Sequence, residues 1–81
     1  MIEYNAALNC ARLYKNNIKI CTEYEYAYVF SGENDIFDYY IGGAENAPVV
    51  VWKKSGRITK LPELYINGSG KMLREFEVDY G

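Results

Sequence analysis

A short aromatic run, YEYAYVF at residues 24–30, places the tightest constraint on how this chain can fold. Its rings occupy every second position, and successive side chains of a β-strand point to opposite faces of the sheet. The run therefore predicts a strand with its rings on one face. A second run, VVVW at 49–52, is apolar at every position, which is typical of a strand buried on both faces. Together the runs predict a sheet with more apolar surface than a short chain easily covers.

The order of the patterns predicts an α+β fold. Apolar residues recur at three- and four-residue steps over 2–16, which predicts a helix with Tyr4, Ala7, Leu8, Ala11 and Tyr14 on its inner face. Beyond residue 18 the period changes to two, and strands are expected at about 18–30, 47–53, 57–61 and 72–79. One N-terminal helix packed on a three- to four-stranded, mostly antiparallel sheet is the economical arrangement of these elements.

The length and composition are those of one folded domain over residues 1–81. Hydrophobic residues make up 49% of the chain and aromatic residues 16%, and this apolar content excludes a disordered chain. Segment 36–46 stays open between a short edge strand and a loop that lays its rings over the core.

Charges are segregated along the chain although the net charge is only −2. Acids without any base occupy 23–45, and bases without any acid occupy 53–60. The simplest interpretation is an acidic loop and a basic hairpin tip that are solvated or face each other. The alternative is a polar surface that steers a charged partner.

The sequence favours a non-enzymatic protein. It contains no histidine, so Cys10 and Cys21 have no imidazole base to generate a thiolate. Both thiols are expected to pack as small core residues, one on the helix and one at the start of a strand. Glu23 and Glu25 share a strand face, where acids ordinarily contact solvent. No motif requires a cofactor, and a structural zinc site is excluded by the ligand types.

Two alternative functions remain. The acidic segment 33–45 offers oxygen ligands without the spacing of a calcium loop, so a small metal-dependent module or enzyme is the second hypothesis. Trp52 beside the bases of 53–60 makes weak nucleic-acid binding the third. The acidic isoelectric point, about 5.0, disfavours nucleic acid.

The apolar character of both sheet faces predicts a binding surface. One helix covers one face, so the other face must be covered by segment 36–46, by a protein partner or by a second copy of the chain. Interface cores favour aromatic residues and arginine. The candidate partner-binding residues are Tyr24, Tyr26, Trp52, Lys54 and Arg57.

The expected location is the cytoplasm. No charged leader precedes an apolar core at the N-terminus, and no apolar run reaches membrane-spanning length. The sequence therefore predicts no membrane partner and two reduced cysteines.

Four segments, CTEY at 21–24, YVFS at 28–31, IGG at 41–43 and PVVVxKxxG at 48–56, carry a resemblance. With these segments the chain resembles a group of small bacterial proteins without an established activity. It is also similar, more loosely, to a family of immunity proteins. That second resemblance implies a small cytoplasmic α+β protein that binds and neutralises a toxin. The C-terminal segment departs from this family, which usually closes with a helix, and no functional residues are carried over.

Overall fold

The computed structural model describes residues 1–32, 48–60 and 68–78, and it confirms the α+β fold. Within these ranges the elements are one helix and five strands: α1 Tyr4–Arg12, β1 Ile20–Tyr24, β2 Ala27–Ser31, β3 Val49–Trp52, β4 Ile58–Lys60 and β5 Met72–Glu77. The strands form one sheet in the order β4-β3-β2-β1-β5, and all neighbouring strands are antiparallel. The sheet thus has one strand more than the upper prediction.

The prediction of a single strand over 18–30 is wrong, and this difference accounts for the extra strand. The segment forms a hairpin instead, with β1 and β2 joined through Glu25 and Tyr26. Neither turn residue has a positive φ. Their amides donate to the carbonyls of Lys71 and Ser69, at 3.0 and 3.1 Å. The hydrogen bonds of this turn are made with backbone that is distant in sequence. The sequence therefore contains no glycine or asparagine at the turn that would predict it.

The helix is shorter than the predicted range 2–16. Its inner face is as expected at Ala7, Leu8 and Ala11, which are buried. Tyr14, predicted on the same face, is 62% exposed, because α1 ends at Arg12. The last turn tightens here, since the Tyr14 amide donates to the carbonyl three residues before it.

The sheet is apolar on both faces, as the sequence predicts. The helix side carries the larger cluster, in which Ala7, Leu8, Ala11, Ile18, Cys21, Tyr28, Phe30, Val49, Val51 and Val78 are buried. The Tyr4 ring fastens the helix over this face, with ring centroids 6.1 Å from Tyr28 and 5.1 Å from Phe76. The second face carries a smaller buried cluster of Ala27, Val29 and Val50, against which Tyr24 and Trp52 pack.

The remaining strands lie where the sequence predicts them. The β3–β4 hairpin turns at Gly56, whose φ of 71° is in the left-handed region. Phe76 in β5 and Val78 directly after it face the core, as expected from the alternation. Residues 47, 61 and 79, the outermost positions of three predicted strands, lie outside the described residues, as does segment 36–46.

Candidate partner-binding surface

The five predicted binding residues gather at one end of the sheet. Strand β1 ends and β2 begins at the turn 25–26, and β3 ends and β4 begins at the hairpin 53–57. These two turns are neighbours, because the Lys53 amide donates to the Tyr26 carbonyl at 2.9 Å. We call this region, residues 24–26 and 52–57, the turn end. Tertiary structure therefore unites positions that are separated by up to thirty-three residues in the sequence.

A shallow depression lies at the turn end. Its volume is about 330 Å³, and it is lined by Trp52, Lys54, Ser55 and Arg57. The Trp52 indole N–H donates to the Thr59 hydroxyl at 2.8 Å, so the ring is held in place across the β3–β4 hairpin. The Lys54 and Arg57 side chains are exposed. The depression thus combines a fixed aromatic wall with two cations, which suits an anionic group flanked by apolar atoms.

The two tyrosines of the predicted site lie in different environments. Tyr24 is half-buried and packs with Trp52 against the second-face cluster. The β1–β2 hairpin places Tyr24 on this second face, away from the helix side, where Tyr28 is buried. Tyr26 lies in the turn and is 56% exposed. Its backbone is nevertheless held on both sides, by the Ser69 carbonyl and the Lys53 amide, so an exposed ring projects from a rigid turn.

The second face offers less open apolar surface than its composition suggests. Val50 and Ala27 are fully buried, and Val29 is 4% exposed. Accessible apolar surface remains around this cluster, on Tyr26 and Met72, which are exposed, and on the partly buried Tyr24 and Trp52. Any partner therefore meets the edge of this cluster and not its centre.

A partly buried ionic cluster of Glu23, Lys53 and Arg74 lies on the helix side of the sheet next to the turn end, and no sequence pattern described above predicts it. The Glu23 carboxylate accepts hydrogen bonds from Lys53 Nζ and Arg74 Nε, both at 2.7 Å. The side chains of Lys53 and Glu23 are only 10% and 13% exposed. Lys53 Nζ also lies 4.9 Å from the centroid of the Tyr28 ring. The available signal was the alternation, which places Lys53 on the same face as Val49 and Val51.

This cluster fixes the protonation states around it. The hydrogen bond from Lys53, followed by that from Arg74, holds the pKa of the Glu23 carboxyl below its usual value despite partial burial. Burial raises the pKa of the Tyr28 hydroxyl, and the Glu23 charge raises it further. Burial also raises the pKa of the Cys21 thiol to about 12. A carboxylate with a lowered pKa is a weak base, and a thiol with a raised pKa supplies little thiolate.

The positions of the basic side chains weaken the nucleic-acid hypothesis. Of the four bases in 53–60, Lys53 forms an ion pair with Glu23 on the helix side of the sheet. Lys60 pairs with Val49 in the β3–β4 register, at the opposite end of the hairpin from Arg57. Of these four described bases, Lys54 and Arg57 alone flank the depression, whereas a strand of nucleic acid is tracked by a longer basic groove.

The metal hypothesis concerns segment 33–45, which lies outside the described residues. Within 1–32, 48–60 and 68–78, no three side chains of the metal-binding types Cys, Asp, Glu or His come together. In the same part of the chain, no helix has the length and apolarity needed to cross a membrane.

Comparison of the chain with protein-family models, with curated proteins and with solved structures gives no match.

Proposed function

We propose that this protein is a small non-enzymatic binding module whose turn end docks onto another protein. One observation carries the proposal: residues 24, 26, 52, 54 and 57, which are aromatic or cationic and which the sequence predicts to bind a partner, lie at one end of the sheet. Aromatic residues and arginine on a rigid frame are the residue types that dominate binding energy at protein interfaces. The cytoplasm is the proposed location, in line with the sequence prediction.

The chemistry of the depression suggests what the partner presents. Lys54 and Arg57 flank the fixed Trp52 ring. A carboxylate next to an apolar or aromatic side chain would satisfy both features. An acidic protein surface is therefore the proposed target. The resemblance to immunity proteins adds the narrower hypothesis that the target is a toxin or another protein of a defence system.

Affinity purification from the native cell, followed by mass spectrometry, tests the proposal when it compares matched variants. We expect a protein to be retained by the wild type and lost with the double variant Lys54→Glu/Arg57→Glu. Lys19→Glu is the control, because Lys19 is an exposed lysine that precedes β1 at the other end of the sheet. Circular dichroism confirms that each variant is folded. Equal retention by the double variant and by the control would exclude the turn end as the docking surface.

The alternative functions predict different results. A nucleic-acid binder would lose its retained material on nuclease treatment. A metal-dependent module would show saturable calcium or magnesium binding by calorimetry, and Asp35→Ala with Asp38→Ala would abolish it. Self-association through the sheet would appear as a concentration-dependent mass in sedimentation equilibrium, and Trp52→Ala would reduce it.

A further inference from the structure

The outer edge of β5 is an accessible strand edge, well separated along the sheet from the Trp52 depression. Strand β5 is the last in the order β4-β3-β2-β1-β5, and among the described residues it pairs only with β1. Residues 72–75 are all exposed. Met72 and Leu73 keep 60% and 56% of their surface accessible, which is a large fraction for apolar side chains in a sheet.

The hydrogen-bonding pattern shows which backbone groups this edge presents. The Val78 amide donates to the Lys19 carbonyl at 2.7 Å, so Val78 directs its N–H group towards the β1 side. Backbone groups alternate between the two sides of a strand. Phe76 and Arg74 therefore also face β1, and Glu75 and Glu77 direct their N–H and C=O groups outwards. These groups are available to a further strand.

The charges of β5 work against three of the two-fold registers in which it could pair with a second copy of the chain. In a two-fold antiparallel pair centred on Glu75, that carboxylate lies opposite its own copy. A pair centred on Phe76 places Glu75 opposite Glu77, and a pair centred on Arg74 places two guanidinium groups side by side. Like charges directly opposite each other are destabilising, so each of these registers is disfavoured.

We propose that the outer edge of β5 binds an extended segment of a partner protein that carries lysine or arginine at alternate positions. Such a segment would add a sixth strand through the outward groups of Glu75 and Glu77. Its cations at positions i and i+2 would lie opposite the two carboxylates, which share one face of the sheet. This edge is a separate surface from the turn end, so the inference does not depend on the function proposed above.

The test titrates the isotopically labelled full-length protein with a capped peptide of alternating lysine and valine. We expect saturable binding in nuclear magnetic resonance spectra, with the amides of Glu75 and Glu77 protected from hydrogen exchange only in the complex. Glu77→Lys should weaken binding about fivefold, since one favourable cross-strand pair becomes a repulsive one. Glu3→Lys, the same charge change at an exposed residue outside the sheet, should leave affinity within about twofold.

A second peptide separates strand addition from simple charge attraction. It has the same residues, but its alternate backbone amides are N-methylated, so it keeps the charge and loses the donors that would pair with β5. The proposal requires that this peptide bind at least about tenfold more weakly. Equal binding by the methylated peptide, equal weakening by Glu77→Lys and Glu3→Lys, or no binding by the first peptide would each overturn the proposal.

Discussion

Replacing Lys53 by methionine should destabilise the fold far more than the same change at the next residue. Lys53 Nζ donates to Glu23 at 2.7 Å in a pair that is nearly buried, whereas the Lys54 side chain is exposed. Methionine keeps most of the apolar stem of lysine and removes the charge. The comparison of Lys53→Met with Lys54→Met therefore isolates the ion pair from the general effect of losing a lysine.

The structure sets the magnitude. A hydrogen bond to a charged group contributes about 1.5–3 kcal/mol, and the contact of Lys53 with the Tyr28 ring contributes about 0.5–1 kcal/mol. Glu23 keeps its second hydrogen bond, from Arg74, so it is not left wholly unpaired. We expect Lys53→Met to lower the free energy of unfolding by about 2 kcal/mol, and Lys54→Met by less than about 0.5 kcal/mol.

Urea denaturation measures both losses through circular dichroism and the fluorescence of the single tryptophan, Trp52. With a slope of about 1 kcal/mol per molar, the Lys53→Met midpoint should fall by about 2 M. The double variant Glu23→Gln/Lys53→Met should lose less than the sum of its single variants, because each single change leaves a buried group without this partner. Equal midpoints for Lys53→Met and Lys54→Met would refute the reasoning.

Three further predictions concern the same scaffold. The pKa of Glu23 is lowered in the folded state, first by its hydrogen bond from Lys53. Its stabilisation is therefore complete above the ordinary value of 4.5 and is lost as the pH falls through the lower folded pKa. As the pH is lowered below 4.5, the urea midpoint of the wild type should decrease, and that of Lys53→Met should decrease less. The same dependence of the midpoint on pH in both proteins would contradict this. Gly70→Ala should cost at least about 1 kcal/mol more than Gly68→Ala in the same assay. Both glycines have positive φ, but a Cβ at Gly70 lies 2.8 Å from Glu25 Cβ, while one at Gly68 meets nothing within 4 Å; equal losses would show that the contact is unimportant. Half-exposed Cys10 should react with a thiol reagent in the folded protein, and Cys21, buried with its pKa raised to about 12, should react only on unfolding. Changing both cysteines to alanine should leave partner binding intact in the affinity assay, and loss of binding by a folded variant would indicate thiol chemistry.

The sequence alone determined the helix and the β3–β4 hairpin, because each depends on residues that are close together in the chain. The three- and four-residue spacing of Ala7, Leu8 and Ala11 predicts the helix, and VVVW with Gly56 predicts the β3–β4 hairpin. The same patterns predict that the sheet is apolar on both faces. Successive residues of a strand point to opposite faces, and in VVVW every residue is apolar. Each of these features depends on side chains close together in sequence.

Tertiary structure decided the features that depend on distant partners. The turn at Glu25 and Tyr26 forms because the carbonyls of Lys71 and Ser69 satisfy its amides, so a thirteen-residue strand predicted over 18–30 becomes two strands. Strand length was the available warning, since most strands are shorter than about ten residues.

The ionic cluster follows the same rule. Lys53 belongs to a basic run that looks solvated in the sequence, yet it is buried because Glu23, thirty residues away, lies beside it in the sheet. Charge patterns along a chain report what is near in sequence. Burial and pairing are set by which strands become neighbours, and that arrangement minimises the exposed apolar surface of the whole sheet rather than of any one segment.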